Sequence, residues 1–274
     1  MVVYPFKDGT YDIVSNSVRL SGLWEPQESS IIQSLPRPSF FVDIGANIGW
    51  HSLLALSLGH RVVAFEPLHS NVNLLQHSLC LNPGLRENLE LHTVALTDQK
   101  QHDCRIAFQD SNAGNGVLLC GNQSNGDPRG VEQNAEKTKI GRLDDYLHPG
   151  QDIDLIKIDV EGNELTVLRS GERLFDRSTG HRPPARIISE FAPRLINELG
   201  DNPADYLRFL DSKGYLLYHI ERNVEAWDKP LHEADSSLTR TKTPILYSEF
   251  DVFTLKHWDA ILTIDAILPR DRKT

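Results

Sequence analysis

The chain has 274 residues and a formal net charge of −10, with 39% apolar and 24% charged residues. That composition is ordinary for a soluble globular protein and long enough for one sizeable core. The acidic balance repels phosphates and argues against a non-specific nucleic-acid role, and no stretch approaches the roughly 20 apolar residues that span a bilayer.

Residues 1–36 precede the first strand and form a cap segment that ends in the breaker run Leu35-Pro36-Arg37-Pro38. Its start, MVVYPFKDGTYDIV, lacks the charged-then-apolar order of a signal peptide. From residue 39 onward strands and helices alternate. Ser39–Asp43 is a short apolar strand, and Ile48–Leu58 has a helical pattern. Arg61–Phe65 is the second strand, and Asn71–Leu81 is a helix with Val72, Leu75 and Leu79 on one stripe. Leu89–Val94 and Ile153–Val160 are the third and fourth strands, and Glu164–Ser170 is a helix capped by Gly171. Arg186–Phe191 is the fifth strand, Ala204–Lys213 a helix ended by Gly214, and Tyr215–Ile220 and Phe250–Leu255 the last two strands. This alternation implies a mostly parallel sheet with helices on both faces. The final strand follows a long loop rather than a helix, so it is expected to enter antiparallel at the sheet edge.

The core domain thus spans 37–260, with variable loops at 97–140 and 221–248 and a tail at 261–274. The first loop, with SNAGNG at 111–116, reads as a hairpin plus a mobile segment. Cys80, Cys104 and Cys120 have neither paired nor metal-type spacing, so unpaired thiols in a reducing, cytoplasmic setting are expected. The sequon at Asn122 is a single short match and carries no weight. Arg182, Arg186 and Arg194 read as a solvated face.

The informative stretch is FVDIGANIG at 41–49. A strand running into a turn of small residues lets backbone approach a ligand, and the helix that follows points free N–H groups at it. Dinucleotide sites use G-x-G-x-x-G to cradle a pyrophosphate. Here the pattern is D-x-G-x-x-x-G, and Asp43 at the strand mouth would repel an anion and suit a positively charged ligand. S-adenosylmethionine carries a sulfonium and an ammonium and no phosphate. RVVAFEP ends the second strand in Glu66, about 20 residues beyond the turn, where an acid accepts hydrogen bonds from ribose hydroxyls.

The segments FVDIGANIGWHSLLAL, VVAFEPLHSNVNLLQHSLCLN, LHTVALTD and IDLIKIDVEGNELTVLRSG resemble, in order, the blocks of the FkbM-type methyltransferases over roughly residues 10–192. The resemblance implies a class I, Rossmann-like α/β fold with a seven-stranded, mostly parallel sheet and a reversed last strand. It also implies S-adenosylmethionine as cofactor and methyl transfer, mostly to oxygen. Carried over by motif, Asp43, Gly45, Asn47 and Gly49 would line the methionine and ribose part, and Glu66 would hold the ribose with Asn71 nearby. Ala95 and Leu96 would sit near adenine, and Asp159 and Glu161 at the point of transfer. Glu25, in GLWEP, and Asn115 with Gly116 resemble further family positions at the pocket. Trp50-His51 departs from the family's smaller aromatics, and 221–274 matches no family block. The acceptor class implied is broad: a small molecule, a sugar or a glycan.

Methyl transfer to an alcohol needs an acceptor held in line and a base for its proton. Asp159 and Glu161 are the candidates for that base. Asp159 reads equally as a structural acid or a partner of the donor ammonium, and Glu161 also reads as a helix N-terminal acid. Lys157, inside a strand, needs a partner such as Asp43 or Glu190. His51 and His69 read as surface or helix-start residues; no His, Asp and Glu set has clear metal spacing, and a divalent ion at Asp159 and Glu161 stands as an alternative that the spacing does not indicate. Trp24, Trp50 and Trp227 are candidates for an acceptor platform, with core packing the alternative for Trp24 and Trp50. Two rivals stand beside this reading: an NAD-dependent Rossmann oxidoreductase, and a nucleoside-binding module without catalysis.

Overall fold

The computed structural model describes residues 1–5, 12–100, 103–109, 112–121, 134–220 and 243–269. Trp227 and Asn122 lie outside the described residues. Two helices open the fold, α1 (Ile13–Ser21) and α2 (Pro26–Gln33). The Asp12 carboxylate caps α1 by accepting the Ser15 N–H at 2.7 Å. Then come β1 (Phe40–Ile44), α3 (Trp50–Ser57), β2 (Arg61–Phe65), α4 (His69–Leu81) and β3 (Leu89–His92). An inserted region follows, with β4 (Ala95–Leu96), β5 (Cys104–Gln109), β6 (Asn112–Cys120), β7 (Asn134–Lys137) and β8 (Ile140–Gly141). The chain returns to the main sheet in β9 (Leu155–Ile158), α5 (Glu164–Ser170), β10 (Arg186–Phe191), α6 (Pro193–Glu198), α7 (Pro203–Ser212), β11 (Leu216–Ile220), α8 (Phe250–Lys256) and β12 (Leu262–Ile267).

The main sheet has seven strands in the order β11-β12-β10-β9-β1-β2-β3. All neighbouring pairs are parallel except those made by β12. Period two sorts β1 onto two cores. Phe40, Val42 and Ile44 join α5, α7 and α8 on one face, through residues such as Leu165, Leu207 and Phe250. Phe41 joins α2, α3 and α4 on the other, through Ile31, Ala55 and Leu75. Asp43 shares the Phe41 face, and register sets it directly beside Lys157 of β9.

Three sequence expectations are corrected. The segment 250–255 is helical: Phe250, Phe253 and Thr254 are buried while Val252 and Leu255 are exposed, a 3.6-residue stripe that mimics alternation over six residues. The reversed strand is instead Leu262–Ile267, in the stretch read as a tail, and it lies between β10 and β11 rather than at the edge. Its buried Asp265 is gripped by both ends of the Arg186 guanidinium, at 2.7 and 2.8 Å. Arg186 is therefore paired, and Arg194 stands by Asp259 at 3.7 Å. Finally, Cys104 and Cys120 face each other across the β5–β6 hairpin as a buried disulfide, and only Cys80 is a free thiol. Because β5 and β6 pair antiparallel, sequence spacing alone hides this juxtaposition. The pairing removes the cysteine-based ground for a reducing compartment.

Candidate active site

The strand order reverses around β1, the place where open α/β sheets leave a crevice beyond the strand ends. There the chain turns through Gly45, Asn47 and Gly49, all with positive φ (78°, 53° and 87°). A Cβ on Gly45 would overlap the Asp159 carbonyl, so the residue type is forced by the approach of β9 as well as by φ. Gly49 starts α3 and faces Leu75 of α4, so it serves packing and does not line a cleft.

Two clefts open at this point. The first encloses about 640 Å³, part of it open to solvent, and its walls include Phe65, Glu66, Ala95, Leu96, Ile106 and Leu118. The second encloses about 880 Å³ and includes Ile13, Trp24, Glu25, Trp50, His51 and Glu190. They share Gly45, Asn47, Asn115, Asp159 and Glu161, so the glycine turn, the β6 hairpin and the end of β9 form the waist between them.

Glu66 is buried at the end of β2. Its Oε1 accepts the Leu68 N–H at 2.9 Å and the Asn71 amide at 3.2 Å, and its Oε2 accepts the Asn47 N–H at 2.8 Å. A carboxylate has about four acceptor positions, so roughly one remains, on Oε2. Burial pushes its carboxyl up to about 7, against the pull of those three donors. Asn71 lines neither cleft. It positions Glu66, and its amide also donates to the Gly114 carbonyl (2.9 Å), which Asn47 Nδ2 reaches as well (3.0 Å). The β6 strand is thereby fastened to the glycine turn.

Asp43 departs from the sequence expectation. It is fully buried, lines neither cleft, accepts the Ser52 hydroxyl at 2.6 Å and stands 3.8 Å from the Lys157 ammonium. Lys157 also reaches Asp159 Oδ2 and the Gly45 carbonyl, each at 3.3 Å. Burial pushes the Asp43 carboxyl up, with Lys157 and Ser52 pulling against it. Burial also works against the Lys157 charge, but Asp159, Asp43 and Glu25 outweigh it and raise the ammonium above its usual range. Lys157 thus ties the end of β1 to the end of β9.

Asp159, Glu161 and Glu190 bring carboxylate oxygens within 4.8 Å of one another, a grouping that sequence spacing did not suggest. Lys157 already supplies a cation beside Asp159. Glu25 takes a left-handed backbone (φ 42°) before α2, and its carboxylate lies 3.7 Å from His51 Nε2. His51 is at a helix start, as expected, but buried rather than on the surface. Trp50 lines the second cleft while its indole N–H donates to Ser29 at 2.9 Å. His69 is exposed and pairs with Glu136 at 3.1 Å. Sequence reasoning missed Glu164, whose Oε1 accepts the N–H groups of Val160 (3.2 Å) and Gly162 (3.1 Å). An acid in the first turn of α5 was a readable sign of such a role.

The Methyltransferase FkbM domain model matches residues 43–217. The chain belongs to the FkbM methyltransferase family. It is therefore a methyltransferase that uses S-adenosylmethionine. A curated relative, "Methyltransferase 1" of Beauveria bassiana (strain ARSEF 2860), is 28% identical over 214 residues, 68% of this chain and 76% of the relative. Among solved structures, the Methyltransferase FkbM of Methylobacillus flagellatus KT aligns with TM-score 0.42 and 17% identity, covering 72% of this chain and 44% of that one. An rRNA methylase of Streptococcus thermophilus aligns with TM-score 0.44 and 13% identity, covering 89% and 94%. The FkbM match spans the glycine turn, the β6 hairpin and the loop after β9, the three parts of the waist between the clefts.

Proposed function

We propose that this FkbM methyltransferase methylates a hydroxyl of a small molecule or sugar, with donor in the first cleft and acceptor in the second. The observation that carries this reading is the shared waist, where Asp159 and Glu161 face both spaces. When bound, S-adenosylmethionine supplies a methyl group already activated by positive sulfur. Its fit is supported by the chain's own groups: the remaining acceptor position on Glu66 suits a ribose hydroxyl, and Phe65, Leu96, Ile106 and Leu118 suit a purine. The side-chain-free approach at Gly45 admits a ligand close to backbone. Acids at the waist suit the donor's positive end and would oppose a pyrophosphate, which weighs against the NAD rival.

Asp159 shares its charge with the Lys157 ammonium, so its place is to orient. Glu161, which lines both clefts, is the proton acceptor for the attacking hydroxyl. Trp24 and Trp50 give the second cleft two broad aromatic walls, and Glu25, Asn115 and His51 give it polar contacts suited to a hydroxylated acceptor. Residues 1–36 supply part of this cleft through α1 and the turn before α2. The test is a screen of phenols, alcohols and sugar derivatives with isotopically labelled donor, followed by NMR of any product. A methyl ether, lost with Glu161→Gln while S-adenosylhomocysteine still binds, is expected. Label carried only on nitrogen or carbon would overturn the hydroxyl assignment. Donor binding without turnover across the panel would favour the non-catalytic rival.

A further inference from the structure

The loop from Asp159 to Asn163 lines both clefts. Glu161 sits at φ 56°, costly for a residue with a side chain, and Gly162 follows at 92°. Such a path persists only when its surroundings over-determine it. Hydrogen bonds anchor its two ends. The Asp159 N–H donates to the Ile44 carbonyl at 3.0 Å, and Asn163 Nδ2 reaches the Leu118 carbonyl at 3.4 Å. Between them, both peptide N–H groups flanking Glu161, those of Val160 and Gly162, converge on one atom, Glu164 Oε1.

We propose that Glu164, which lines neither cleft, is the positioning residue of this active site: its carboxyl clamps the loop so that Asp159 and Glu161 face the donor and the acceptor together. The inference rests on the donor reading of the first cleft for its binding arm alone. Glu164 is 1% exposed, and its second oxygen has no hydrogen-bond partner. Burial, with Glu190 opposing its charge, pushes the carboxyl up to about 8. The clamp is therefore a neutral acid near pH 7, whose carbonyl oxygen accepts while the other oxygen carries the proton. Glutamine presents the same carbonyl acceptor at the same reach. Alanine removes it, and aspartate shortens it by one methylene.

The experiment compares wild type with Glu164→Gln, Glu164→Asp and Glu164→Ala. The first readout is amide hydrogen exchange at Val160 and Gly162, with Asp159 as the internal reference, and it needs no ligand. The second is titration with S-adenosylhomocysteine. Slow exchange at both amides in wild type and Gln is expected, with faster exchange in Asp and Ala and an unchanged reference. Donor-product affinity should stay near wild type in Gln and fall by about tenfold or more in Ala. Protected amides in folded Ala or Asp variants would overturn the proposal, as would a Gln variant as loose as Ala. If the alanine variant does not fold, the aspartate variant and the exchange in wild type still decide. Failure of wild type to bind S-adenosylhomocysteine would count against the donor site, while exchange would still judge the clamp.

Discussion

At the scale of single residues, the site is governed by buried charge. Lys157 stands between Asp43 and Asp159. Lys157→Met should leave both carboxylates without their cation and cost about 3–5 kcal/mol, the usual penalty for breaking a buried pair from one side. Chemical denaturation measures this, and a loss under 1 kcal/mol would contradict the pairing. Glu66→Ala should weaken S-adenosylhomocysteine by about tenfold or more, since each factor of ten is about 1.4 kcal/mol and a ligand bond to a carboxylate is worth more. Unchanged affinity in a folded variant would remove Glu66 from the site. Glu164 supplies a pH test. Its folded value, about 8, is above its ordinary 4.5, so the folded protein holds a proton that the unfolded chain releases. The resulting stability is fully present below about 4.5 and is lost as pH rises through about 8. Glu164→Gln cannot ionise, so its stability relative to wild type should increase between pH 5 and pH 9. A difference that stays constant would refute the neutral clamp.

The β5–β6 hairpin is the element on which sequence and structure diverge most usefully. Its strand β6 carries Gly114, Asn115 and Gly116, and it walls the first cleft. The Cys104–Cys120 bridge closes it with a sequence separation of 16. Replacing both cysteines by serine should cost about 3 kcal/mol on a chain-entropy account of a loop of this length. It should also weaken S-adenosylhomocysteine, because the wall is fastened to Asn47 of the glycine turn and to Asn71 of α4 through the Gly114 carbonyl. Titration of the oxidised and doubly substituted proteins reads this directly, and equal affinity would show that the hairpin does not shape the cleft. The spacing of the cysteines gave no warning, because pairing across a hairpin depends on register and not on separation. The same limit explains Phe250–Lys256: seven residues satisfy a helical and an alternating pattern alike, and packing, with Phe253 stacked on Phe191, decides. By contrast, Arg61–Phe65, Glu164–Ser170 and Arg186–Phe191 were legible to the residue, because turn signals bound them on both sides.

For the whole molecule, the strand order made by β1, β2 and β9 creates the crevice, and Gly45, Glu66 and Asp159 fall there because each directly follows one of those strands. This is why Gly45, Glu66, Ala95, Leu96, Asp159 and Glu161 could be placed from sequence and do line a cleft. Asp43 lines neither cleft, because it lies on the Phe41 face of β1, where Ser52 and Lys157 meet its carboxylate. The second cleft was less legible, because it gathers α1, the turn before α2, α3 and β10 from distant parts of the chain. Parallel calorimetric titration of the protein with S-adenosylmethionine, S-adenosylhomocysteine and NAD tests the central claim most directly. Binding of the two sulfur compounds at about micromolar affinity, roughly 8 kcal/mol, with no heat from NAD, is the predicted result. Tight NAD binding, or silence from both sulfur compounds, would contradict the donor site described around Gly45 and Glu66.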